Sequence, residues 1–194
     1  MLLVDATAGA VPYATVNDHS AAYDLVLLAH VLSALVGLVA VMATGGFALA
    51  LRAALRHGRP LPDALIRYYR PGVNPVGRVL FAVPVFGVAL IAMSGGQWGW
   101  SDAWVSGGMA AWAAVAMVAE GALWPGERRL QLVVAGAGRQ QHDVADSGAG
   151  AHGAETAGDR PDGGAAGHCL TIALTSGGCA AALMAAAALM VAKP

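Results

Sequence analysis

Charge is in short supply. Only 12% of the 194 residues are Asp, Glu, Lys or Arg, against roughly 25% in soluble domains. That shortage excludes an ordinary water-facing surface. With 57% hydrophobic residues and a mean hydropathy of +0.60, the chain reads as one solvated by lipid. Cysteine is nearly absent. Cys169 and Cys179 stand ten positions apart in one apolar run. On a helix that is about 15 Å, and a disulfide requires Cα atoms within about 7 Å, so these two do not pair with each other there. Lys and Arg are missing from residues 1–23. This excludes the basic n-region of a cleaved signal peptide, and the stretch reads as a short extracytoplasmic lead. No phosphate loop, CxxC, HExxH or GxSxG is present. The reaction classes those motifs serve are therefore excluded, and the chain reads as a non-enzyme.

What the chain does contain is four apolar runs. The first covers residues 25–51 and holds His30 as its one ionisable side chain. Its 27 residues exceed the roughly 20 needed to cross a bilayer. Helix continues to Arg56, and Gly58 and Pro60 break it. A connector over 57–74 carries Arg59, Arg67 and Arg70, with Tyr68 and Tyr69 between them. Residues 63–70 are expected to form one or two turns on the membrane surface, with tyrosine at headgroup depth. The second run, 76–95, has Arg78 near its start and Pro84 at its middle, which predicts a kink. Gly95, Gly96, Trp98, Trp100 and Trp104 then mark a tight hairpin at an interface. The third run, 103–124, is expected to stop at Pro125-Gly126, with a short surface helix over 127–135. The fourth covers 169–192.

This gives an all-α fold, a polytopic membrane four-helix bundle. Its parts are a lead (1–23), helices one to three with an Arg-rich loop (24–135), a Gly/Ala/Asp/His-rich loop expected to be flexible (136–167) and a last helix (168–194). Charge supplies a direction. The loop between runs one and two, with its flanks, holds Arg52, Arg56, Arg59, Arg67, Arg70 and Arg78. The loop between runs three and four holds Arg128, Arg129, Arg139 and Arg160. That is ten of the eleven basic residues, and only Lys193 lies opposite. By the positive-inside rule both basic loops are cytoplasmic and both termini extracytoplasmic. The arginines are expected to meet anionic lipid headgroups rather than nucleic acid.

Candidate functional side chains are few. On the first run His30, Ser33, Ala34, Gly37, Thr44, Gly45 and Ala48 recur at helical spacing, a small-residue face suited to packing against other helices. A sharper reading makes His30, Ser33 and Thr44 line a pocket. An intramembrane imidazole can ligate haem iron or copper, or relay a proton. No second histidine lies inside a run to complete a bis-His site. Glu120 is the single carboxylate inside a run. It is expected either to pair with Arg78 or Arg128 at the interface, or to serve a proton or cation. Glu120 lies roughly 24 Å below Trp104 along the helix, so His30 and Glu120 do not share one ion. His142, His152 and His168, with Asp143 and Asp146, match no metal-site spacing. Neither a cofactor nor a metal is assigned.

The segment Leu27-Leu28-Ala29-His30-Val31-Leu32 with Gly37, the Arg70-Pro71-Gly72 approach to the second run, and Trp104 at the start of the third resemble small bacterial four-helix integral membrane proteins classed as a domain of unknown function. They are also similar to the membrane part of copper-resistance D-type proteins, which carry an early-helix histidine. The first resemblance implies a multi-pass protein of the bacterial plasma membrane. The second implies a ligand at His30, for which this chain offers no partner set. The leading expectation is an accessory or assembly subunit of a larger membrane complex, with lipid and other membrane proteins as partners. The alternatives are a haem- or copper-handling protein using His30 and a small proton-coupled transporter using Glu120.

Overall fold

The structure, a computed structural model, describes residues 21–72, 75–146 and 162–192. The expected lead falls almost wholly outside these residues, as does the middle of the expected flexible loop. The described residues form helices and turns without a strand. Four of the helical stretches are long and apolar enough to cross a membrane.

Helix α1, Ala21–Arg56, has 36 residues and is about 54 Å long, against a hydrocarbon core of about 30 Å. It therefore projects beyond the core and ends in Arg52 and Arg56. Gly58, at φ +57°, closes it. The Arg59 amide donates to Ala54 O at 3.0 Å and the Gly58 amide to Leu55 O at 3.3 Å. This pair of bonds is a Schellman cap, and it needs a left-handed residue where Gly58 stands. Of the small-residue face expected from spacing, Ser33, Gly37, Thr44, Gly45 and Ala48 are buried, joined by Ala40, while His30 and Ala34 are half-buried. Leu28, Leu32, Leu35, Val39, Met42 and Leu49 point outward, as lipid-facing side chains do. Helix α2, Asp63–Tyr68, supplies the expected turns of the connector.

The second span is broken. Helix α3, Pro75–Arg78, passes through a 3₁₀ turn, Val79–Phe81, into helix α4, Ala82–Met93. Pro84 explains this irregularity. It has no N–H to give to Leu80 O, and its ring crowds that carbonyl. The tightened turn moves the carbonyl aside, and the Trp112 indole N–H from the next span donates to it at 3.0 Å.

The third span departs from expectation. Helix α5, Ala103–Val118, runs through a π turn, Ala119–Leu123, straight into helix α6, Trp124–Asp146. Pro125-Gly126 does not stop it. The wider π turn just before Pro125 makes room for a ring that a regular α-helix would reject. Residues 127–135 are thus not a separate surface helix. The part of the expected flexible loop up to Asp146 is also helical. Leu130 and Val134, 1% and 2% exposed, anchor this extension in the core. Gly136 and Gly138 cost only about 1 kcal/mol each, too little to end it. Helix α7, Asp162–Val191, likewise begins before the expected boundary.

Successive spans run antiparallel, so one end of the bundle carries the arginines and the other the tryptophan hairpin. Helix α1 is central, packed along α7 on one side and α4 on the other, while α5 packs on α7. Contact is close where α1 meets α7: a Cβ added at Gly45 would lie 2.8 Å from Ser176 Cβ. The apolar core is concentrated at the arginine end, around Leu51, Leu65, Tyr69, Leu123, Leu130, Cys169 and Ile172. Both cysteines are buried and free. The chain is thus an all-α, multi-pass integral membrane protein.

The α1–α7 approach generates a test. Gly45→Leu is expected to destabilise the bundle by about 1–3 kcal/mol through overpacking. Gly46→Leu, next to it, meets open space and is expected to change nothing. Unfolding of both variants by SDS titration in mild detergent, followed by helical circular dichroism, checks the contrast.

Candidate functional site

His30 bridges two helices. Its Nδ1 lies 2.9 Å from Val83 O on α4. A carbonyl only accepts, so Nδ1 carries the hydrogen, and in the neutral ring Nε2 keeps its lone pair. The ring also lies against Gly87, where an added Cβ would come within 3.3 Å of it. Histidine at 30 and glycine at 87 therefore fit together as a clamp between α1 and α4.

Ser33 and Thr44 do not join His30 in one pocket. Ser33 donates to Ala29 O of its own helix at 2.7 Å. Thr44 lies about 21 Å from His30 along α1. It donates to Ala40 O at 3.1 Å and stands 2.9 Å from the Tyr68 hydroxyl, which as the remaining donor completes the pair. Tyr68 stacks on Phe47 with ring centroids 4.0 Å apart.

Glu120 and Arg78 are also apart. Glu120 is exposed on the π turn, and among the described residues no ion pair joins it to Arg78 or Arg128. Arg78 instead lies over the Trp124 ring, 5.3 Å from its centroid. A flat, weakly hydrated guanidinium stacks well on an indole. The expected interfacial ion pair is replaced by a cation–π contact.

The most concentrated buried chemistry sits elsewhere, at the arginine end. Four elements converge there: Arg52 from near the end of α1, Tyr69 from the end of α2, Glu127 from the first turn of α6, and His168 and Cys169 from α7. Tyr69 is 1% exposed, Glu127 5% and Cys169 0%. Arg52 lies within electrostatic reach of Cys169, and Tyr69 within reach of Cys169 and Glu127. The His168 ring lies 3.5 Å from where a Cβ added at Gly126, beside Glu127, would stand. Arg52 Nε, the Tyr69 hydroxyl and His168 Nε2 are buried with no hydrogen-bond partner among the described residues. Burial pushes the Tyr69 phenol well above its ordinary range, and the nearby Tyr68, Cys169 and Glu127 push it the same way. The cluster brings a guanidinium, a carboxyl group, a phenol and an imidazole together inside an apolar shell. Among the described residues, no group of three or more His, Cys, Asp or Glu side chains is placed to hold a metal ion.

Sequence reasoning missed this cluster because Pro125-Gly126 read as a helix stop, which put Glu127 on a surface segment. A signal was available. Leu123, Glu127, Leu130 and Val134 recur at spacings of four, three and four, one helix face continuing across the proline. Tyr69 was expected on the surface connector and its side chain is buried in the core. The side chains of His142, Asp143, Asp146 and His152 fall outside the described residues. No family model, curated protein or solved structure matches the chain.

Two predictions follow from these contacts. Tyr69 ionises less readily folded than unfolded, so above the unfolded value of about 10 the unfolded state loses its proton first. Stability from this group is complete below about pH 10 and is lost as pH rises further. Tyr69→Phe is expected to flatten that alkaline decline, read from melting curves between pH 8 and 11. His30→Ala is expected to cost about 1–2 kcal/mol by removing the bond to Val83. Cysteine pairs placed at the α1–α4 contact are expected to cross-link more slowly in that variant.

Proposed function

We propose that the chain is a multi-pass protein of a bacterial plasma membrane, with both termini extracytoplasmic, that serves as a non-enzymatic accessory or assembly subunit of a larger membrane complex. One observation carries this reading. Gly107 on α5, Gly121 on the π turn, and Gly177 and Gly178 on α7 each face open space where a Cβ would point. Glycine costs a helix about 1 kcal/mol relative to alanine, and these four give nothing back through packing against the described residues. On α7 the pair belongs to an outward stripe with Leu174 and Ala181. Small residues at this spacing let another helix backbone approach closely. The asymmetric arginines support the orientation, and the lipid bilayer is the other partner.

The reading is tested by isolating the full chain from its native membranes in mild detergent. A stoichiometric membrane-protein partner is expected with the wild type. Gly177→Leu/Gly178→Leu is expected to fold normally and to lose that partner at least tenfold. Failure to find a stoichiometric partner, or its full retention by the double variant, overturns the proposal. A Soret absorbance that vanishes in His30→Ala would replace it with a haem-binding function.

A further inference from the structure

A cavity of about 670 Å³ opens on the side of the bundle between α1 and the connector. That volume is in the range of roughly 300–1,000 Å³ typical of small-molecule sites. Its long wall is apolar: Leu35, Val36, Val39, Ala40 and Ala43 of α1, a run of about 12 Å along the helix. Its mouth is of opposite character. Arg67 and Arg70 stand there with Gln131, and Tyr68 forms the floor. Both arginines are exposed, and neither is paired with an acid among the described residues. The Gln131 amide donates to Gly72 O at 3.2 Å and ties α6 to the connector across the far edge. Tyr68 is held against α1 by its bond to Thr44 and its stack on Phe47, so the floor is fixed.

We propose that this groove binds one anionic glycerophospholipid, its phosphate held by Arg67 and Arg70 and one acyl chain laid along the Leu35–Ala43 wall of α1. Three features select this occupant. The apolar wall runs from the arginine end toward the middle of the span, so a ligand filling it has its polar group at the mouth and its tail directed into the bilayer. Two unpaired guanidiniums three residues apart match a phosphate diester, which offers several acceptor oxygens. Val39, Leu35 and Val36 are 64%, 52% and 39% exposed, so the wall is apolar surface that the described residues leave uncovered. A free phosphate would use the mouth and leave the wall empty.

Native mass spectrometry of the full chain in mild detergent tests the assignment, with phosphatidylglycerol and phosphatidylcholine of identical acyl chains as probes. One phosphatidylglycerol is expected to be retained roughly tenfold or more over phosphatidylcholine, the scale of two arginines at an anionic headgroup. Arg67→Gln/Arg70→Gln is expected to remove that preference. Val39→Trp, which fills the groove from an exposed position, is expected to lower retention of both lipids. Leu35→Trp on the same wall gives a second reading should the first variant fold poorly. Equal retention of the two lipids by the wild type overturns the proposal. So does displacement of phosphatidylglycerol by millimolar inorganic phosphate, or unchanged retention in the glutamine double variant and both tryptophan variants.

Discussion

A backbone carbonyl inside hydrocarbon has no water to turn to, and leaving one unmatched costs several kcal/mol. The architecture of this chain is largely a response to that constraint at Pro84, within the second span, and at Pro125, at the end of the third. Pro84 removes the donor for Leu80 O, and the neighbouring span restores it through Trp112. Pro125 falls just after a π turn, where the helix has already widened, so α5 and α6 remain one rod. His30 adds a further bond to an α4 carbonyl, Val83 O. Each polar group contributed by one helix to the backbone of another also fixes the rotation of the two helices. The contacts that keep the backbone satisfied are therefore also those that set the register of the bundle.

Helix α1 is central because its inward face is small. Gly37 meets Leu80, Gly45 meets Ser176 and Gly87 meets His30, all at distances a side chain would obstruct. Close approach places dispersion contacts along the whole helix, which matters in lipid because burying apolar surface supplies little driving force between helices. The ordinary hydrophobic core forms at the arginine end, where α1 and α6 extend past the span and the connector folds back on them. There the protein meets the opposite problem of enclosing Arg52, Glu127 and His168, and Tyr69 is buried among them.

The spans, their number and the inward face of α1 were legible because they rest on local regularities: run length, charge and a period of 3.6. What was not legible depended on neighbours. Pro125-Gly126 carries a strong breaking signal in isolation, and only the π turn before it, stabilised by packing of Leu123 and Leu130, overrides it. Arg78 and Glu120 are matched by charge and depth, yet Trp124 lies nearer in space and takes the guanidinium. Tyr68 and Tyr69 are adjacent and chemically alike, but they point in different directions, one to a groove floor and the other to the core. The local sequence does not distinguish them, because the distinction is made by where α6 and α7 lie.

The repair of Pro84 also has a dimension in time. Trp112 follows Leu80 by 32 residues and belongs to a span that leaves the ribosome later. Until the third span arrives, Leu80 O lacks the indole donor that Trp112 supplies in the finished bundle. The repair of the second span therefore depends on the helix that follows it in the chain.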